Sequence, residues 1–201
     1  MRLPLLILLA AALSAVEEGP FPVLKVVDGD TIEVLYSPHP ERSSVEPKPT
    51  RVRLLYVDTP EASDNDHGKA MPEGKAAKAF LAEQFGEGAS VYLWAPDKAL
   101  KRDRFDRLLA VIYQEPPHPP DPGTETDVTK IMIHAPRVCL NVKIVQAGWS
   151  PYWTKYGDAP KDIESGFVFG QNNAKIEKAG AWATAPKWMA DKANERTAPK
   201  K

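Results

Sequence analysis

Apolar and polar residues alternate over Thr31 to Tyr36 (TIEVLY), and an apolar run precedes them over Val23 to Val27 (VLKVV). Between the two lies Asp28-Gly29-Asp30, the composition of a tight hairpin turn, so the pattern predicts two paired strands. A third strand is expected over Arg51 to Val57 (RVRLLYV), stopped by Asp58-Thr59-Pro60. Ser90 to Trp94 and Leu108 to Tyr113 read as the fourth and fifth. Between the third and fourth strands, Ala77, Phe80, Leu81 and Phe85 fall on one face at helical spacing, with Gly86 and Gly88 to end the helix. Asn141 is expected to cap a short helix (VKIVQA) that Gly148 terminates. A last helix is expected from about Asp162 to Ala179, although Gly166 and Gly170 lie inside it. This order predicts an α+β, mainly β domain: a five-stranded β-barrel of the OB type with about three packed helices.

The segments outside these elements set the domain limits. Met1-Arg2, the apolar run Leu3 to Leu13 and the small exit Ser14-Ala15 have the plan of a secretory signal peptide. The expectation is therefore a signal peptide over 1–15, a domain over 16–182 and a frayed tail over 183–201, on a secreted or periplasmic protein. Residues 37–50 are rich in proline and charge and read as loop. Five of the seven residues from Pro116 to Pro122 are proline, which marks 114–136 as a stiff surface insert.

Composition narrows the functional classes. The chain has 201 residues, 43% of them hydrophobic, enough for one domain with its own core. Its 26 Lys and Arg balance 27 Asp and Glu, which excludes a histone-like coat but leaves room for a locally basic site. Cys139 is the single cysteine, so neither an internal disulfide nor a Cys-rich zinc site is possible. No run of about 20 apolar residues is present, so no membrane span is expected. His39, His67, His118 and His134 are scattered through loops without metal-ligand spacing. Asp64, Asp66 and Gly68 hint at a calcium loop, but the EF-hand pattern fails at its twelfth position, Lys75. Nothing implies an obligate protein partner, and a monomer is expected.

Three polar clusters remain: VDGDT from Val27, RLLYVDTPE from Arg53, and RDRFDR from Arg102. Each alone is an ordinary polar turn. If the first and third strands are neighbours, Asp30, Asp58 and Glu61 converge at one barrel edge. Three carboxylates at close range repel and call for a cation, and all-oxygen donors select a hard ion such as calcium or magnesium. Arg53, on the strand leading to Asp58, and Arg107, just before the fifth strand, add bidentate donors for a phosphate. The set suits phosphodiester chemistry.

The ordered series VDGDT, RLLYVDTPE, a helix, DRFDRLLAVIY and LNVKIVQAG resembles the staphylococcal nuclease (thermonuclease) family over roughly residues 22–182. The resemblance implies that Asp30, Asp58 and the main-chain carbonyl of Thr59 ligate a calcium ion. It implies that Glu61 orients or deprotonates the attacking water, and that Arg53 and Arg107 grip the scissile phosphate. Asp28 corresponds to a structural turn aspartate. Arg104 and Phe105 stand where the family has a lysine and a tyrosine that contact a terminal phosphate. Tyr156 matches one family tyrosine and Thr154 replaces another, with Tyr152 and Trp153 as alternative stacking surfaces. The implied activity is hydrolysis of DNA, RNA or both to 3′-phosphate products. A non-catalytic nucleic-acid-binding OB module is the competing reading. It would not need a metal-and-base set, and Asp30, Arg53, Asp58, Glu61 and Arg107 together speak against it.

Overall fold

The computed structural model describes residues 16–38, 46–64, 68–96, 99–114, 138–155 and 157–195. The expected signal peptide, most of the 114–136 insert, all four histidines and Tyr156 lie outside the described residues.

Strands β1 (Val16–Asp28), β2 (Thr31–Tyr36) and β3 (Lys48–Leu54) run antiparallel in sequence. Then come helix α1 (Pro72–Ala82), β4 (Ser90–Ala95), the two-residue β5 (Lys101–Arg102) and β6 (Leu108–Tyr113). Sheet order is β3-β2-β1-β4-β6-β5, and a parallel pairing of β3 with β6 closes the five main strands into the expected barrel. β1 makes closure possible by serving two neighbours. Its first half pairs with β4, from Val16 opposite Ala95 to Pro22 opposite Ser90. Its second half pairs with β2, from Val23 opposite Val34 to Asp28 opposite Thr31. It is much longer than the five residues expected: its first half, which carries the buried Phe21, is broken by Glu17, Glu18, Gly19 and two prolines and shows no apolar period.

The alternation in β2 sends Ile32, Val34 and Tyr36 inward against Val52, Leu54, Leu93 and Ile112. Ile32, Val34, Val52 and Leu93 are fully buried, each contributing about 2 kcal/mol of hydrophobic stabilisation. α1 seals one end of the barrel with Ala77 and Leu81. It stops at Ala82, before Gly86, and Phe85 packs on the core from the segment that follows.

Five helices are present among the described residues rather than three. α2 (Leu140–Gln146) and α3 (Lys161–Glu177) cross closely. The glycines that weaken the helix prediction are the reason they can: a Cβ on Gly170 would lie 2.5 Å from Gln146 Cγ. Two helices follow where a frayed tail was expected, α4 (Ala181–Thr184) and α5 (Pro186–Ala193). They bury Ala181, Trp182 and Met189 with Ala174 of α3 in a second, smaller core.

Two further expectations change. The third strand ends at Leu54 instead of Val57, because Leu55 and Tyr56 turn the chain and Tyr56 adopts φ 65°. Asn141 does not cap α2, which starts after Cys139. It lies one residue inside the helix, fully buried, and ties three elements together. Its Oδ1 accepts from Ile112 N at 3.0 Å, and its Nδ2 donates to Leu55 O at 2.8 Å and Ala110 O at 3.3 Å.

Candidate active site

The β1–β2 hairpin turns on Gly29 and Asp30. A side chain at Gly29 would collide with Ala77 Cβ and Thr59 Oγ1, both 2.7 Å from the position of a Cβ. Glycine therefore lets the hairpin seat itself against α1 and the loop after β3, and this brings Asp30 to Thr59. Thr59 N donates to Asp30 Oδ2 at 3.1 Å, and Leu54 N donates to the Asp30 carbonyl at 2.9 Å. Gly74 does the same for the other side of the loop. A Cβ there would overlap the Glu61 carbonyl, which accepts from Met71 N at 2.9 Å.

Arg53 is the hub. It sits opposite Thr31 in the β2–β3 ladder, and only 9% of its surface is exposed. One terminal nitrogen, Nη1, donates to the carbonyls of Leu54 at 2.9 Å and Val57 at 2.7 Å. The other, Nη2, lies 2.6 Å from Asp58 Oδ1 and 3.1 Å from Asp30 Oδ2. Burial opposes its charge, but Asp30 and Asp58, then Glu61 and Asp103, overcome that and hold the guanidinium above its ordinary pKa. Asp30 and Asp58 meet on one nitrogen of one arginine although the first and third strands are not neighbours, β2 lying between them, and Glu61, the third carboxylate expected there, acts on Arg53 through its field.

Asp58 is fixed further by its backbone N–H, which donates to the fully buried Ser150 Oγ at 2.8 Å. Burial raises its pKa, Arg53 opposes the rise, Asp30 adds to it, and Lys192 opposes it. The Lys192 ammonium of α5 is 2.7 Å from Asp58 Oδ2. Asp28 is pushed up to about 6, first by burial and then by the nearby Asp30 and Glu61, against hydrogen bonds from Gly29 N and Ala62 N. Glu61 belongs to the same electrostatic group: it acts on both Asp28 and Arg53.

Arg107 opens β6, the strand parallel to β3. Its guanidinium is held by Asp103, with Nε and Nη2 both 2.7 Å from Oδ2. Asp103 also accepts from Phe105 N and Arg107 N, so it organises the whole 103–107 turn. Those bonds outweigh its partial burial and hold its carboxyl below the usual range. The Phe105 ring is 47% exposed, with the guanidinium carbons of Arg104 and Arg107 at 4.7 and 5.3 Å from its centroid. The turn reaches Arg53 through the field of Asp103.

Tyr152 is not a stacking surface. It is buried against Phe167, with ring centroids 5.1 Å apart, and its hydroxyl accepts from Ala159 N. Thr154 is buried too. Trp153 remains at the site, its ring centroid 5.5 Å from the Arg53 guanidinium carbon and its Nε1 donating to Glu195 at 3.1 Å. Sequence reasoning missed Ser150, Lys192 and Glu195. None carries a local signal, because each acts on the loop only through the folded contact.

The donors fit a hard cation in kind. Asp30 and Asp58 are paired carboxylates whose mutual repulsion is only partly offset, and they offer a metal oxygen, the donor type that suits a hard ion. Thr59 Oγ1 is buried beside them without a hydrogen-bond partner among the described residues. No group of three His, Cys, Asp or Glu side chains is arranged to hold a metal among those residues, so main-chain oxygen and water would complete any coordination shell.

The chain is similar in sequence to known proteins whose names are those of nucleases. The chain is 28% identical over 162 residues to a micrococcal nuclease of Shigella flexneri, covering 80% of this chain and 72% of that protein. It is 27% identical over 170 residues to an uncharacterized endonuclease of Escherichia coli O157:H7, covering 83% and 81%. A family model described as staphylococcal nuclease homologue matches residues 51–184, from the strand that carries Arg53 through helix α4. With a closed barrel, Asp30 and Asp58 gathered on Arg53 and that match over most of its length, the chain belongs to the staphylococcal nuclease family.

Proposed function

We propose that the protein is a secreted or periplasmic nuclease that uses calcium to hydrolyse phosphodiester bonds of DNA, RNA or both, leaving 3′-phosphate ends. The observation that carries this reading is the junction at Arg53. One guanidinium nitrogen holds Asp30 and Asp58 together while Glu61 stands in the same field. The nuclease and endonuclease names of the relatives support the reaction class. Asp30, Asp58 and the Thr59 carbonyl would hold calcium, which when bound supplies a Lewis acid beside the phosphate.

The chain's own residues do the rest. Glu61 accepts the proton of the attacking water. Arg53 and Arg107 meet the charge that develops on the phosphate oxygens, each presenting a planar fork that an ammonium cannot reproduce. Arg53 is already seated by two main-chain carbonyls through Nη1, and Nη2, which lies on Asp58 and Asp30, is the nitrogen that would turn to the phosphate once a metal takes those carboxylates. Arg104 and Phe105 are carried over from the family's positions as contacts to a terminal phosphate, and Trp153 would offer a face to the bases.

The test is direct. The purified protein is incubated with single-stranded DNA and with RNA, in calcium and in chelator, and the product ends are identified. Cleavage in calcium alone, with 3′-phosphate ends, is the expected result. Binding without cleavage in every divalent cation would establish the non-catalytic module instead. For localisation, mass spectrometry of exported protein should find a start at or near Val16, and an intact Met1 would refute signal-peptide cleavage.

A further inference from the structure

Helix α5 sends one lysine into the site, and the contact it makes is with Asp58. Asp58 Oδ1 is taken by Arg53 at 2.6 Å, and Oδ2 by Lys192 Nζ at 2.7 Å. Both oxygens of this carboxylate therefore already face a cation. We propose that Lys192 is a tethered counter-ion that competes with the divalent metal for Asp58, so that metal binding releases the ammonium from the carboxylate. The proposal rests on Asp58 being a metal ligand, as argued above.

Three features favour competition over a fixed structural salt bridge. First, α5 is anchored without Lys192: Met189 is fully buried against Ala181 and Trp182, so the helix stays docked whichever partner the ammonium has. Second, the Lys192 side chain is 32% exposed while Asp58 is 15% exposed, so the lysine is the partner with room to move. Third, an alternative acceptor is in place. Glu195 Oε2 is 3.3 Å from Lys192 Nζ, and Glu195 is itself held by Lys155 at 2.5 Å and Trp153 Nε1 at 3.1 Å. The rings of Trp188 and Trp153, with centroids 5.7 and 6.0 Å from Nζ, add favourable faces for the cation along the same path. The ammonium can therefore change partners without facing bare solvent or an apolar wall.

Charge supplies the driving force. A divalent ion approaching Asp58 meets Lys192 at the carboxylate and gains affinity if the lysine withdraws. A ligand can shift such an equilibrium only through its differential interaction with the two states. The same linkage means that whatever holds Lys192 on Asp58 weakens the metal, and whatever draws it to Glu195 strengthens it.

Two substitutions with opposite expected signs test this by calorimetric titration with calcium chloride. Lys192→Met removes the competing charge and keeps most of the apolar stem. It should tighten calcium binding by roughly two- to fivefold, the scale of one partly exposed ion pair. Glu195→Gln weakens the alternative acceptor and should loosen calcium binding. Lys192→Arg keeps the charge and should stay closer to the wild type than Lys192→Met. Hydrogen exchange gives a control: calcium should leave exchange over residues 186–195 no faster in the wild type, because Met189 keeps the helix docked, and faster exchange would show that the helix rather than the lysine lets go. If Lys192→Met binds calcium no more tightly than the wild type, or if Lys192→Met and Glu195→Gln shift the affinity in the same direction, the competition is refuted while the metal site stands. Should none of these proteins bind calcium, the cofactor assignment falls, and the counter-ion role with it. A Lys192→Met chain that fails to fold would also overturn the proposal, since it would make the lysine a structural tie.

Discussion

Arg53→Lys is the substitution whose consequence follows most directly from the geometry. Arginine at this position makes four contacts from two nitrogens: the carbonyls of Leu54 and Val57 on one, the carboxylates of Asp58 and Asp30 on the other. A lysine has one nitrogen on its stem and cannot reach both sides of this junction. If it follows the carboxylates, two carbonyls at the end of β3 lose their charged donor. Hydrogen bonds to a charged partner are worth about 1.5–3 kcal/mol each, so the loss of two is about 3–6 kcal/mol. If it follows the carbonyls, Asp30 and Asp58 face each other without a shared cation, and breaking a buried ion pair has a similar cost. Both routes predict the same range. For a domain of this size about 4 kcal/mol lowers the melting temperature by roughly 8–16 °C. Urea unfolding followed by circular dichroism, in chelator so that metal does not contribute, measures the difference. A loss below about 1 kcal/mol would refute the four-contact junction. A fall in nuclease activity much larger than the lost folded fraction would then report the phosphate role separately.

Glu61→Gln keeps volume and hydrogen bonding but cannot take a proton; turnover should drop by roughly 10²- to 10⁴-fold while calcium affinity, read by calorimetry, changes far less. Full activity in this variant would remove the general-base assignment. Asn141→Ala strands Ile112 N and Leu55 O in the interior and should cost about 2–5 kcal/mol in chemical denaturation, with the site chemistry affected only through stability. Asp28→Asn bears on pH. The folded protein holds the Asp28 proton up to about pH 6, above the ordinary carboxyl value of 3.8, so ionising it works against folding: the penalty is absent below pH 3.8, grows between 3.8 and 6, and is complete above 6. Asparagine keeps an acceptor for Gly29 N, so the variant should melt higher than wild type at pH 7.5 and level with it near pH 3.5, both in chelator. An equal difference at both pH values would show that Asp28 ionisation is not the cause.

The residues of the site that lie on or beside β-strands could be read from the chain itself. Asp28 to Thr31 form a hairpin because Gly29 and the turn composition around it demand it, and Asp58-Thr59-Pro60 marks the loop that follows the strand of Arg53. The barrel is legible for the same reason: a two-residue period with turn residues at the ends is local information. Strand ends were less clear. β3 stops three residues early because Leu55 and Tyr56 turn the chain, and Arg53 holds the turn by its bonds to the carbonyls of Leu54 and Val57, a contact that no propensity encodes. The partners of Asp58 were invisible. Ser150 reaches its backbone N–H from the segment after α2, and Lys192 reaches its carboxylate from a helix that carries a single fully buried side chain, Met189. Such a helix has too narrow an apolar stripe to stand out from an alanine- and charge-rich tail, and only the surface offered by Trp182 and Ala181 makes it worth folding. Local pattern fixes which groups can carry the chemistry, because turns and periods are short-range. Which charges surround them is decided by packing, because an ion pair depends on distance in space and not along the chain.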